Sequence, residues 1–498
     1  MLNSPRHVPV LVIGAGFAGL GTSIALEREG VDHVVLESAD DVGGTWRDNR
    51  YPGCKCDVAS HLYSFSFALN PDWTSTYSSQ QEIWEYLRRC AERFGVLSRI
   101  RFGQEVREAC WDEAARRWEV ETPGGRWTAD VLVSATGGLS VPSVPDLPGL
   151  DRFAGTVFHS AAWDHGHDLA GERVAVVGTG ASAVQIVPRI QPEVGRLLLF
   201  QRTPAWVLPH GDRPIPVWKR ALYRRVPALQ RLVRAGIYWS RELLVLALCK
   251  DPRWIEPVRR MAARHLERQV PDPALRARLT PTFAPGCKRL LLSDDYYPAL
   301  GAPNAEVVTA PIREVGERAI RTADGVEHEV DTIVLATGFR VTDNPTFARL
   351  RGRSGRTLAD AWRETGMQAY LGTTVAGFPN LFLVTGPNTG IGHTSLVVMI
   401  EAQVRYVVGA LRAMDRRGLA AVEVRPEAQA AFNTDLQRRM ARTVWSTGGC
   451  ASWYLDAQGR NPTLWPDFTW RFRRRTRRFD AGAYRLLGAA PAAARSGV

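Results

Sequence analysis

The chain has 498 residues, 45% of them hydrophobic, which excludes a disordered or collagen-like protein and leaves length for about three domains. There are 63 basic and 51 acidic residues, a formal net charge of +12. That excess invites a nucleic-acid reading, but Lys55, Lys219, Lys250 and Lys288 are the only lysines, so nearly all of it is arginine. An arginine beside a motif is therefore weak evidence of a role, and a lysine there is stronger. The apolar run at 243–249 is too short for the roughly 20 residues of a spanning helix. That short run implies no transmembrane segment, and seven cysteines without zinc-site spacing point to a reduced, cytoplasmic protein with no metal site.

Arg6-His7 followed by the apolar stretch 8–20 has the outline of a signal peptide. Its glycines argue that the segment is retained. Residues 8–13 predict a strand, Gly14-Ala15-Gly16-Phe17-Ala18-Gly19 a tight turn, and the stretch to Glu29 a helix that Gly30 ends. Residues 34–37 predict the next strand, closing on Glu37. Glycines at this spacing let the backbone approach a pyrophosphate at the helix N-terminus. Glu37 suits ribose hydroxyls and repels a 2′-phosphate, so the turn should hold FAD or NAD and not NADP.

A second unit follows a proline-rich boundary at 141–149. Strand 173–177 leads into Gly178-Thr179-Gly180-Ala181-Ser182-Ala183, a helix broken near Pro188, and a strand at 197–201. The acidic residue of the first unit is replaced by Gln201-Arg202-Thr203, where a guanidinium suits the 2′-phosphate of NADP, with Lys288 as a second cation. Two dinucleotide sites on one chain imply that a nicotinamide reduces a flavin.

Residues 214–281 read as an Arg- and Leu-rich helical insertion. Strands return at 307–308 and 332–336, and the glycine stretch 386–392 precedes a helix over 396–409. The last 20 residues read as a loosely held tail. The expected fold is α/β, with two Rossmann-like dinucleotide-binding domains. The FAD domain would comprise 1–144 and 375–498, and the NADP domain 145–374 with the insertion inside it.

Three further motifs carry a resemblance. They are Gly43-Gly44-Thr45-Trp46 with Tyr51-Pro52-Gly53 and Asp57, the run from Phe153 through Gly155 and His159 to Trp163-Asp164, and Ala336-Thr337-Gly338-Phe339. With both glycine loops they resemble the class B flavoprotein monooxygenases, and within these the Baeyer–Villiger monooxygenases, over about residues 8–480. The resemblance implies an enzyme that uses FAD, NADPH and O2 to convert a ketone into an ester or lactone through a C4a-peroxyflavin. Pro285-Gly286-Cys287-Lys288-Arg289 is similar to the segment bearing the family's active-site arginine, which makes Arg289 the catalytic cation and Asp57 its orienting partner. The flavin set it implies is Gly14, Gly16, Phe17, Gly19, Glu37, Thr45, Trp46, Asp57 and Tyr63. The NADPH set is Gly178, Gly180, Ser182, Gln201, Arg202 and Lys288. His159 and Trp163 would lock the segment joining the domains, and Trp453-Tyr454 would lie in a loop near the flavin.

Other functions fit less well. A disulfide reductase needs a longer spacing than Cys54-Lys55-Cys56. An N- or S-oxygenase shares the scaffold and is the alternative. The arginine cluster at 471–478 has no nucleic-acid recognition motif around it and reads as a solvated face. Neither oligomeric state nor the particular ketone follows from the sequence.

Overall fold

The computed structural model describes residues 5–488. Strand β1 (Arg6–Ile13) ends in four buried residues, and both of its neighbours, β2 (His33–Leu36) and β6 (Gly125–Ser134), run parallel to it. A strand covered on both faces reads as a continuous apolar run, which is what the sequence shows here. The crossover helix α1 (Phe17–Arg28) is buried almost all round, so it has no polar stripe to present to water. Helix α2 (Gln80–Arg93) is amphipathic and begins at Ser79, whose side chain accepts the Glu82 amide. Between β2 and β6 the chain adds β3 (Ile100–Arg101), β4 (Glu108–Asp112) and β5 (Arg117–Thr122).

The second unit contains β7 (Thr156–His159), β8 (Arg173–Val177), helix α3 (Ala181–Ile190) and β9 (Arg196–Phe200). Helices α4 (Val217–Arg225), α5 (Pro227–Glu242), α6 (Glu256–Gln269) and α7 (Pro273–Leu279) fill the stretch read as a helical insertion. Strands β10 (Ala305–Val308) and β11 (Thr332–Leu335) then complete a five-stranded sheet in the order β10-β9-β8-β11-β7. Its pairings are all parallel.

The chain returns to the first sheet through β12 (Leu350–Arg351), paired with β4, and β13 (Leu381–Leu383), paired with β6. The eight-stranded order is β12-β4-β5-β6-β1-β2-β3, with β13 beside β6. Helix α8 (Leu396–Arg417) packs against α1 and ends at Gly418, which adopts φ +58°. Strand β14 (Leu419–Val424), helices α9 (Pro426–Met440) and α10 (Thr469–Arg475), and strand β15 (Tyr484–Gly488) follow.

Three local expectations are corrected. Pro188 does not break its helix: it lies in the last turn of α3, where one amide is lost while Val184, Ile186, Val187 and Ile190 stay buried. The tail is not loose up to residue 488, because β15 pairs antiparallel with β14 and buries Tyr484. The rest of the predicted tail, from 489 on, lies outside the described residues. The cysteines are not all reduced, since Cys287 and Cys450 form a disulfide across 163 residues of sequence. Nothing in the spacing of seven scattered cysteines marks that pair, because only the fold brings the two segments together. Thiol titration of the denatured, unreduced protein is expected to count the five free cysteines, and a count of seven would remove the crosslink.

Candidate functional site

The first cradle lies at the carboxyl ends of β1 and β2. Gly14 adopts φ +99° and donates its amide to the Leu36 carbonyl at 2.8 Å, which turns the chain sharply out of the sheet. A Cβ on Gly19 would lie 1.7 Å from the Gly14 carbonyl oxygen, so helix and turn touch backbone to backbone. Gly19→Ala is therefore expected to give a protein that purifies without flavin colour, checked by its visible absorption spectrum. Gly16 precedes α1 with no side chain capping the helix, and across from it lie Gly43 and Gly44. A helix N-terminus whose amides have no side-chain acceptor, facing a glycine wall, fits a pyrophosphate.

Glu37 is 4% exposed and takes the Ala15 amide on one oxygen at 2.7 Å. Its other oxygen accepts from the Ala39 amide at 3.0 Å and from Arg47 at 3.1 Å. Arg47 was not among the expected residues, and in a chain so rich in arginine nothing singled it out. Trp46 donates its indole N–H to the Tyr63 hydroxyl at 3.0 Å, and Phe17 packs edge-on against the same tyrosine. Burial drives the Tyr63 phenol well above its ordinary range, so it stays protonated. Thr45 opens the short helical turn Thr45–Asp48 beside this aromatic group and reaches the Leu139 carbonyl at 3.4 Å.

The segment from Tyr51 to Asp57 is the seam between the two sheets. Tyr51 donates to the Gln185 side chain on α3 at 3.0 Å, and Gln185 donates to the Lys55 carbonyl at 2.9 Å. A Cβ on Gly53 would lie 2.7 Å from the Gln185 carbonyl oxygen. Ser182, at the start of α3, also faces Tyr51. Lys55 pairs with Asp212 at 2.5 Å. Despite partial burial, that pairing and hydroxyl donors hold the Asp212 carboxyl at about 2.

At the end of this seam Arg289 grips Asp57 through two parallel hydrogen bonds, Nε to Oδ2 at 2.5 Å and Nη2 to Oδ1 at 2.6 Å. Asp57 raises the guanidinium's proton affinity, against the effect of burial. Burial alone would raise the Asp57 carboxyl, yet Arg289 holds it below the ordinary carboxylate range. A third of the Arg289 side chain remains exposed (33%), leaving a face for a ligand. Tyr454 is buried beside the pair, and burial pushes its phenol up to about 12 while Arg289 pulls the other way. Its hydroxyl faces the Arg289 guanidinium, and the Trp453 ring lies tilted against its own at 4.4 Å. The Cys287–Cys450 disulfide joins the arginine segment to the loop bearing these two aromatics.

The second cradle repeats the first. Gly178 adopts φ +118°, donates to the Phe200 carbonyl at 3.1 Å, and sits where a Cβ would strike the Ala336 carbonyl oxygen. Gly180 precedes α3 with no side-chain cap, and a Cβ there would meet nothing within 4 Å. Arg202 is exposed beyond β9 and has no ion pair among the described residues. Lys288 lies over the Phe283 ring, and burial together with the Arg202 charge lowers its proton affinity. Two cations from distant segments thus converge, and neither has an ion pair among the described residues. Gln201 is oriented differently, since its carboxamide donates to the Arg278 carbonyl at 2.8 Å.

The linker motif lies beside the cradles. The His159 ring accepts the Ala161 amide at 3.1 Å and meets Phe339 edge-on, while Trp163 packs on Phe158. Ser143 donates to the Gly338 carbonyl and Arg340 to the Val141 carbonyl, so the outgoing and returning linkers run paired.

Residues 7–233 match the FMO-like family, Flavin-binding monooxygenase-like. A Baeyer-Villiger monooxygenase of Streptomyces coelicolor is 55% identical over 490 residues, 98% of this chain and 94% of that protein. The chain belongs to the Baeyer–Villiger monooxygenases. A second such enzyme, from Pseudomonas aeruginosa, is 50% identical to this monooxygenase, over 97% of this chain and 92% of that one. Among solved structures, cyclohexanone monooxygenase from Rhodococcus sp. Phi1 bound to NADP+ superposes on this monooxygenase with a TM-score of 0.86 at 32% identity, covering 98% of this chain and all of that one. OTEMO in complex with FAD and NADP gives a TM-score of 0.88 at 29% identity, over 97% of this chain and all of that one.

Proposed function

We propose that this Baeyer–Villiger monooxygenase carries FAD in the first cradle and NADPH in the second, with each residue set expected from the sequence in its stated role. The net reaction is ketone, O2, NADPH and a proton to ester or lactone, NADP+ and water. The observation that carries this reading is the bidentate Arg289–Asp57 pair at the seam between two glycine-lined cradles. When bound, the flavin supplies oxygen activation and the nicotinamide supplies electrons. The chain supplies the rest. The glycine turns hold pyrophosphates on backbone amides, Glu37 addresses a ribose, and the Phe17–Tyr63–Trp46 group walls the site with aromatic surface. Arg289 presents a fixed positive charge where negative charge develops on oxygen, and Asp57 sets its direction.

We assign residues 1–144 and 375–498 to the FAD unit and 145–374 to the NADP unit. The pairing of Leu350–Arg351 with Ala109 and Cys110 favours moving the return boundary to just before residue 350. Residence in the cytoplasm is part of the proposal, and no described helix is long and apolar enough to cross a membrane. The purified protein is expected to be yellow and to oxidise NADPH faster when a ketone is added, with ester or lactone found by mass spectrometry. A colourless protein, or turnover raised by sulfides and amines but by no ketone, would overturn the ketone assignment.

A further inference from the structure

Helix α5 is turned the wrong way round for a water-facing helix. Its buried residues are Gln230, Tyr238 and Glu242, while Leu232 (68% exposed) and Trp239 (56%) face out. Leu243 (64%) and Leu246 continue the row in the turns that follow. Positions 232, 239, 243 and 246 repeat at helical spacing and so form one stripe. Ala228, Ala235, Gly236 and Ser240 complete the outer face, which contains no acidic residue. Trp218 and Trp254 add two further indoles on neighbouring elements, 63% and 65% exposed. Scattered exposed apolar side chains need no explanation, but a contiguous stripe marks an interaction surface.

The border of this face is cationic. Lys219, Arg225 and Arg231 are exposed around it and none is within ion-pair distance of a carboxylate among the described residues. Helix α10 adjoins α5: Tyr238 and Thr469 share a hydrogen bond at 3.0 Å, and the Thr469 amide donates to the Glu242 carboxylate at 3.1 Å. Arg473 lies over the Tyr238 ring, which brings this arginine to the edge of α5, while Arg475 lies over Phe432 of α9. Arg473, Arg474, Arg475, Arg477 and Arg478 are exposed and have no acidic partner among the described residues.

We propose that this face docks on the surface of an anionic lipid bilayer. The Leu–Trp stripe of α5 would enter the boundary between headgroups and acyl chains, and the surrounding arginines would pair with lipid phosphates. Indoles favour that boundary because they offer an apolar body and one N–H donor. A second copy of the chain fits poorly, since a two-fold contact would set the arginine rim against itself while the nearby acids Asp72, Asp251 and Glu256 are already paired with arginines. A nucleic acid would satisfy the cations and leave the stripe in water.

The test is co-sedimentation of the flavin-loaded enzyme with vesicles. Vesicles of phosphatidylcholine with about 30 mol % phosphatidylglycerol should carry the enzyme down, less so as salt rises, and pure phosphatidylcholine should not. Replacing the stripe together (Leu232→Ser, Trp239→Ser, Leu243→Ser) should lower partitioning by roughly tenfold or more, while turnover of a water-soluble ketone stays at the parent level. Arg225→Glu with Arg231→Glu should weaken binding at low salt. The proposal falls if the parent ignores anionic vesicles or the stripe variant binds them equally well. It also falls if sedimentation velocity shows a dimer that the stripe variant dissolves.

Discussion

Arg289→Ala is expected to lower ester or lactone formation by roughly a hundredfold to a thousandfold, the scale on which a single oxyanion-stabilising donor acts. NADPH consumption should continue near the parent rate, with the oxygen it reduces recovered as hydrogen peroxide. The split follows from position: Arg289 lies at the Asp57 end of the seam, whereas the residues proposed for the nicotinamide nucleotide lie on α3 and just beyond β9. Two companion variants separate charge from direction. Arg289→Lys keeps a cation and loses the fork that matches the carboxylate, so part of the activity should return. Asp57→Asn keeps the shape but removes the charge that holds the guanidinium in place, so product formation should fall while flavin content is retained. Ester formation by Arg289→Ala at the parent rate would refute the assignment, and quantified product against NADPH consumed is the measurement.

Both cradles were legible because a βαβ nucleotide turn is local. Strand, glycines, helix and the residue after the next strand all lie within about 30 residues, and backbone sterics force glycine at Gly14, Gly19 and Gly178. The Arg289–Asp57 pair was legible only through family resemblance, because its partners are 232 residues apart and arginine is everywhere in this chain. The same long range hid the Cys287–Cys450 disulfide and the Lys55–Asp212 pair. Pro188 misled because the helical bond it forfeits to the Val184 carbonyl is outweighed by the burial that holds α3, which is tertiary. Gln201, expected to end its strand, lies one residue past it, and its side-chain direction is set by the insertion, whose Arg278 carbonyl it binds. The outward stripe of α5 was present as a helical period, but sequence alone cannot say which face of a helix meets the core.

Replacing Arg202 and Lys288 together by alanine is expected to raise KM for NADPH by roughly a hundredfold and leave KM for NADH almost unchanged. Each charged hydrogen bond to a phosphate contributes on the order of 1.5–3 kcal/mol, and both act on the one group that distinguishes the two nucleotides. The convergence of two unpaired cations supports that figure, because without a dianion they repel each other. The repulsion also predicts a pH dependence. Burial and the Arg202 charge place the folded-state pKa of Lys288 below that of an ordinary lysine, so its positive charge is lost earlier than an ordinary lysine's as pH rises. KM for NADPH should therefore climb on the alkaline side before ordinary lysines titrate, while KM for NADH stays level. Lys288→Arg keeps its charge throughout and should move that climb to higher pH. Steady-state kinetics with both nucleotides across the alkaline range decide it, and an equal rise for NADH and NADPH would take the 2′-phosphate away from these two residues.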